Sequence, residues 1–295
     1  MKLMESGRPR FSSEEAQALV LEVWNHRGIA RELPSERDLN FHIQAQDGAE
    51  YVLKIASASE KREVLELQVE ATRHLARHVP DYAWPQALKA RSGEEIATAE
   101  HGSGTKHLVR LLPYLPGKFV SQVKPHSPDL LRSLGVFLGS MDKAFASFHH
   151  PAADRELKWN MKSAPSTIRS RLHHIGAPGG RALVIHFVER FEKQTSLLLS
   201  RIREGIIHND ANDNNVLVRQ PAPDSGPFDL RVTGIIDFGD MVAGFPLVDL
   251  AVGTTYGIMG KTDPLAAAVP VVSTPTIFLK QEETTLLNGG PFTSA

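Results

Sequence analysis

The sequence predicts an α+β fold of two lobes, with a small β-rich lobe carrying one bracing helix and a larger, mainly helical lobe. Three observations predict it: a strand–hairpin–strand–helix order near the start, long amphipathic segments in the second half, and an Asp- and Asn-rich loop near residue 210 that is followed by strand-like residues. A length of 295 residues suits about two domains of ordinary size.

The small lobe is predicted to begin with a helix, followed by paired strands and a second helix. Ser12 precedes an acidic turn and an apolar stripe, which is typical of a helix start. Residues 40–45 and 51–55 are strand-like and flank Asp47-Gly48, a good hairpin signal. Apolar side chains recur at helical spacing over residues 64–75.

The next segments are predicted to form the hinge and the large lobe. Residues 94–100 lack a clear buried-strand pattern, so the glycines that follow are interpreted as a loop. Residues 108–117 pass from a strand into a Pro/Gly-bounded loop, which suits a hinge that seats a purine. Residues 130–148 are amphipathic, and a second long helix is predicted over 181–203.

The loop at residues 207–215 contains His-x-Asp-x-x-x-x-Asn, and Asp-Phe-Gly follows at 237–239. In phosphoryl-transfer enzymes the loop Asp accepts the proton of the acceptor hydroxyl, and the later Asn and Asp hold Mg²⁺, which prefers oxygen ligands. Asp210 is therefore the predicted base, and Asn215 and Asp237 are the predicted metal ligands. An ordinary polar turn is the alternative, which two motifs in the right order disfavour.

Lys54 lies inside an apolar strand, where an ammonium group is unfavourable unless it meets phosphate or carboxylate. In kinase-like enzymes such a lysine contacts the phosphates and is braced by a helix glutamate. Glu66 and Glu70 are one helical turn apart, so either is a candidate brace. A snorkelling lysine on an edge strand is the alternative. These motifs together predict a protein-kinase-like fold.

Composition excludes several other classes of protein. The formal net charge is −1 without a basic block, which argues against nucleic acid as a partner. The sequence lacks an apolar run near the length of a membrane span and lacks a signal-peptide core, so we expect no membrane partner. The absence of cysteine excludes disulfides and thiolate metal sites. A cytoplasmic enzyme is the expectation.

Over about residues 11–272 the chain resembles the aminoglycoside phosphotransferase and choline kinase superfamily, and within it the hydroxylysine kinases. The stretches that carry the resemblance are residues 33–42, 51–55, 66–68, 111–117, 148–151, 159–160 and 236–241. It implies Mg²⁺-dependent transfer of the γ-phosphate of GTP, or ATP, to a small amino alcohol, with 5-hydroxy-L-lysine expected. Among the site residues, it favours Glu66 as the brace, implies nucleotide-binding roles for Asn40, Arg110 and Tyr114, and implies supporting roles for His208 and Asp249.

The sequence departs from the superfamily at two points. Asn209 stands where relatives usually have Gly, and Asn tolerates a left-handed backbone. The likeness also fades after residue 272, so we expect a large lobe shortened at its C-terminal end. The expected domains are a small nucleotide-binding lobe (1–112), a hinge (113–117), a large catalytic lobe (118–261) and an atypical tail (262–295). A catalytically impaired nucleotide-binding protein, or a kinase for another amino alcohol or an aminoglycoside, remains the alternative.

Overall fold

The computed structural model describes residues 8–102, 104–195, 199, 202–220, 226 and 229–273. The chain divides into two compact units at the bond between Pro116 and Gly117. The described helices include none that is both long and apolar enough to cross a membrane.

The first unit is built on an antiparallel sheet of five strands in the order β1-β2-β3-β5-β4. Its strands are β1 (Gly28–Leu33), β2 (Leu39–Ala45), β3 (Glu50–Ile55), β4 (Ala97–His101) and β5 (Thr105–Pro113). The predicted hairpin is confirmed: β2 and β3 pair, and Gly48 adopts φ +87° in the turn. Residues 97–101 form β4 at the sheet edge although the sequence lacks a clear buried-strand pattern there, and Gly102 and Gly104 lie in the turn that follows, as predicted. Only the two alanines of β4 are buried, which leaves little hydrophobic pattern to detect.

The two faces of this sheet are covered by different helices. Helix α1 (Ser13–Trp24) begins at the predicted cap, where Ser12 and Glu15 bond each other's backbone N–H. It packs on a face formed by alternate apolar residues of the strands, among them Phe41, Leu53 and Leu111. Since side chains alternate along a strand, the residues between them belong to the opposite face.

The opposite face belongs to helix α2, which spans Arg62–His78 and includes the predicted segment 64–75. Leu65 and Val69 of this helix are buried in a cluster with Ile96. The buried Gln68 accepts a hydrogen bond from Arg110 of β5, at 2.9 Å. The face that carries the polar strand residues is therefore the one that meets α2.

The second unit is mainly helical. The α-helices with described bounds are α3 (Pro128–Phe145), α4 (Ala164–Arg171), α5 (Pro178–Arg190), α6 (Leu247–Ile258) and α7 (Pro264–Val272). Its described strands form two small antiparallel sheets, one in the order β6-β8-β9 and one of β7 and β10. These strands are β6 (Lys118–Phe119), β7 (Gly205–Ile207), β8 (Val216–Arg219), β9 (Arg231–Ile235) and β10 (Val242–Gly244). The predicted combination of a β-sheet lobe and a helical lobe is thus confirmed.

Two parts of the second unit differ in detail from the sequence prediction. The helix predicted over 181–203 begins earlier, as α5 at Pro178–Arg190, and continues as a wider helical turn over Phe191–Thr195. Residues 196–198, 200 and 201 of this prediction lie outside the described residues. Within the predicted tail, α7 packs against α3 so closely that a Cβ on Gly135 would lie 2.1 Å from the carbonyl oxygen of Val271. Residues 274–295, the rest of that tail, lie outside the described residues.

Candidate active site

The polar loop begins where β7 ends and is anchored to the first turn of α6. Asp249 is fully buried, and its carboxylate accepts the backbone N–H of His208 at 2.8 Å and of Asn209 at 2.6 Å. Burial raises the pKa of Asp249 to about 7, although the two N–H donors act in the opposite direction. Asn209 adopts φ +68°, the left-handed conformation that Asn tolerates better than most residues.

His208 connects this loop to the segment that carries Asp237. Its Nε2 lies 3.1 Å from the carbonyl oxygen of Ile236, and its Nδ1 accepts the backbone N–H of Asp210 at 3.3 Å. These partners fit one neutral tautomer, with the proton on Nε2. Burial lowers the pKa of His208 to about 4, so the ring stays neutral near pH 7. A neutral ring with both nitrogens engaged suits the supporting role predicted for it.

The carboxylate of Asp210 is oriented by two side-chain amides. Asn212 donates to its Oδ1 and Asn215 to its Oδ2, each at 2.8 Å. Burial raises the pKa of Asp210, and the nearby Asp240 carboxylate raises it further, whereas the Asn212 amide lowers it. Asn212 was missed from the sequence because the motif does not specify that position.

The turn that carries Asp237 is held by a second residue that the sequence did not indicate. Asp237 is exposed and adopts φ +63°, and a short 3-10 turn follows over Phe238–Asp240. Arg155 donates to the carbonyl oxygen of Gly239 at 2.6 Å and to that of Met241 at 2.8 and 3.0 Å. The sequence separation of 84 to 86 residues explains why no local pattern revealed this contact.

Oxygen ligands for a magnesium ion are available on Asn215 and Asp237. The amide nitrogen of Asn215 is already bonded to Asp210, so its oxygen is the atom left for a metal. The described part of the chain contains no cluster of three His, Asp or Glu side chains arranged for a metal. Mg²⁺ at phosphoryl-transfer sites commonly takes one or two protein carboxylates together with phosphates and water, so these residues fit that ion.

In the first unit, the structure aligns three predicted nucleotide-binding residues in one row of the sheet. Asn40 of β2 pairs with Lys54 of β3, which pairs with Arg110 of β5. Side chains of directly paired residues share a face, and the bond from Arg110 to Gln68 shows that this face meets α2. Asn40 has a buried Oδ1 with no hydrogen-bond partner.

The other predicted residues of the first unit lie around this row. Glu66 is half-buried on α2, whereas Glu70 is exposed one turn later. Tyr114 follows β5, is 42% exposed, and its ring lies 4.6 Å from that of His42. Arg110 is almost fully buried, and its guanidinium already donates a hydrogen bond to Gln68 of α2. The predicted contact of Arg110 with nucleotide would have to be made by this same guanidinium.

Comparison with known proteins identifies relatives over most of the chain. Residues 29–270 match the phosphotransferase enzyme family. The chain is 31% identical over 279 residues to hydroxylysine kinase of Mus musculus, an alignment that covers 88% of this chain and 73% of that protein.

Solved structures share the fold at low sequence identity. A microcompartment-associated aminopropanol kinase superposes with a TM-score of 0.70 at 16% identity, covering 94% of this chain and 84% of that one. An amicoumacin kinase in complex with AMP-PNP and Ca²⁺ superposes with a TM-score of 0.67 at 14% identity, covering 94% and 80%.

Proposed function

Since the chain belongs to the phosphotransferase enzyme family, we propose that it transfers the γ-phosphate of GTP or ATP to the side-chain hydroxyl of 5-hydroxy-L-lysine. The chain is a hydroxylysine kinase-like phosphotransferase that acts on the hydroxyl of a small alcohol. The identity of the acceptor and the choice of nucleotide are the proposal. The acceptor is inferred from the activity that names the similar protein of Mus musculus.

The environment of Asp210 is the observation that supports this function most directly. Its carboxylate is held by two amides that carry no charge, so it remains an acceptor able to take a proton. In the proposed mechanism Asp210 orients the acceptor hydroxyl and accepts its proton as the oxygen attacks phosphorus. A raised pKa brings the carboxyl closer to the working pH, which favours this proton transfer.

On the donor side, we assign Lys54 to the nucleotide phosphates and Asn215 and Asp237 to a magnesium ion. Bound Mg²⁺ would neutralise charge on the phosphates. Arg155 keeps the backbone next to Asp237 in place by binding its carbonyl groups. His208 and Asp249 support the loop through hydrogen bonds to its backbone, and neither takes part in the proton transfer.

Charge around Asp210 is consistent with a cationic amino alcohol. Asp237 and Asp240 both raise the pKa of Asp210, which means that they contribute negative potential at this position. A substrate with an ammonium group beside its hydroxyl would be attracted to such a region. L-Lysine provides a matched negative control, because it retains both amino groups of hydroxylysine and lacks the hydroxyl.

The test is to incubate residues 1–295 with Mg²⁺ and either GTP or ATP, and with one acceptor at a time. The acceptors are 5-hydroxy-L-lysine, L-lysine, 1-amino-2-propanol and an aminoglycoside, and products are identified by mass spectrometry. We expect phosphohydroxylysine and no product from lysine. Transfer to another acceptor without transfer to hydroxylysine would reject the proposed substrate, and nucleotide binding without transfer to any acceptor would reject the enzyme role.

The lysine brace can be assigned by a matched pair of variants. Glu66→Gln and Glu70→Gln remove the same charge one helical turn apart. We propose that Glu66 is the partner of Lys54, so Glu66→Gln should weaken nucleotide binding by about tenfold, in line with the loss of one electrostatic contact. Glu70→Gln should bind nucleotide as the wild type does. The reverse result, measured by calorimetry, would move the role to Glu70.

A further inference from the structure

Helices α3 and α6 pack antiparallel, and their contacts recur every turn. A Cβ on Gly257 would lie 3.5 Å from Cδ2 of Leu134, and one on Gly253 would lie 2.5 Å from Cδ1 of Leu138. Four residues further along α3 is Asp142, and four residues back along α6 is Asp249. The missing side chains of the two glycines allow close approach, and Asp142 and Asp249 occupy the next step of this series.

Both carboxyl groups of this pair are buried. Asp142 is 8% exposed and Asp249 is fully buried. Burial raises the pKa of Asp142 well above its usual range, and the charge of Asp249 raises it further. Arg203, which precedes β7, is the opposing positive charge. Two ionised carboxylates beside a single guanidinium leave a net negative charge in a buried place, which is unfavourable.

The hydrogen bonds indicate which of the two groups carries the proton. Asp249 accepts two backbone N–H groups, which stabilise its ionised form. Oδ1 of Asp142 is buried and has no hydrogen-bond partner. Protonation of Asp142 would turn this oxygen into a donor, and the ionised carboxylate of Asp249 would be its acceptor.

We propose that the carboxyl group of Asp142 is protonated and donates a hydrogen bond to Asp249, which makes Asp142 a positioning residue for the loop that carries Asp210. Asp142 acts through Asp249, because Asp249 holds the backbone N–H groups of His208 and Asn209. The effect on turnover rests on the proposed function, whereas the protonation state and the position of the loop do not.

Two variants of Asp142 separate hydrogen bonding from charge. Asp142→Asn keeps a donor and is neutral, so it should retain most of the turnover. Asp142→Leu has a similar size and no donor, so turnover should fall by about tenfold or more through misplacement of the loop, while nucleotide affinity stays unchanged. Asp129→Asn is the matched control, since Asp129 lies on the same helix and its side chain is 62% exposed.

Amide hydrogen exchange and infrared spectroscopy test the proposal without reference to activity. Protection of the His208 and Asn209 amides should be lost in Asp142→Leu and kept in Asp142→Asn, with the rest of the second unit unchanged. The wild type should show the carbonyl band of a protonated carboxylic acid at neutral pH, and Asp142→Asn should lack it.

Each result decides the proposal. An infrared band that persists in Asp142→Asn, or equal loss of amide protection in the two Asp142 variants, would overturn it. If Asp142→Leu does not fold, the infrared comparison of the wild type with Asp142→Asn still decides the protonation state. If the band and the amide protection behave as expected while the wild type transfers phosphate to none of the acceptors, the proposed function fails and the carboxyl pair stands.

Discussion

Arg155 offers a sharp test of how the turn carrying Asp237 is held. Its guanidinium donates to the carbonyl groups of Gly239 and Met241, and it is half-buried. Replacing it with alanine leaves two carbonyl oxygens without this donor. Hydrogen bonds from a charged group are worth about 1.5–3 kcal/mol each, and water can replace part of that at a half-buried position. We therefore expect Arg155→Ala to destabilise the protein by about 2 kcal/mol.

Thermal melting and nucleotide binding measure the two consequences of this change. A loss of about 2 kcal/mol corresponds to a fall in melting temperature of about 4–8 °C for a domain of this size. Displacement of Asp237 should also weaken Mg²⁺-dependent nucleotide binding, and turnover should fall by up to about a hundredfold. Arg155→Lys keeps the charge and not the planar set of donors, so it should recover only part of the loss.

The control is Arg169→Ala, which removes an exposed guanidinium bonded to Glu192. Exposed pairs contribute less than about 1 kcal/mol, so this variant should melt and bind nucleotide nearly as the wild type does. If Arg155→Ala kept the wild-type melting temperature and magnesium dependence, the inference that Arg155 positions the turn would be refuted.

Three further predictions follow from the two units. Lys54→Ala should lower nucleotide affinity by about tenfold or more, because it removes a charge assigned to the phosphates; unchanged affinity in calorimetry would remove Lys54 from the site. Asp210→Asn should suppress transfer while nucleotide still binds, whereas Asp237→Asn should impair magnesium-dependent nucleotide binding. Identical behaviour of the two variants in binding and turnover would contradict the assignment of Asp210 as base and Asp237 as metal ligand. Asn209→Gly should raise thermal stability slightly and preserve turnover. Glycine adopts φ +68° without strain, and the change removes a buried amide nitrogen that lacks a partner. A lower melting temperature would show that the Asn side chain stabilises the loop.

Part of the fold could be predicted because its signals are local. The Ser12 cap, the β2–β3 hairpin and α2 depend on residues within a few positions of one another, so periodicity and turn chemistry indicated them. Strand β4 escaped prediction because its pairing with β5 stabilises it more than its own small side chains do. The helix predicted over 181–203 is described as α5 and a wider turn up to Thr195, and an apolar pattern does not distinguish these two kinds of hydrogen bonding.

The sequence alone determined the kinase-like chemistry. The spacing of Asp210, Asn215 and Asp237 predicts one base and two metal ligands, since these motifs are short and their order along the chain is diagnostic. Tertiary structure alone decided the surroundings of these groups: Arg155 bonds the turn after Asp237, Asn212 bonds Asp210, and the charge of Asp249 acts on the buried Asp142. These contacts join elements distant in sequence or positions outside any motif, and packing brings them together through close approach and buried hydrogen bonds that no local pattern encodes.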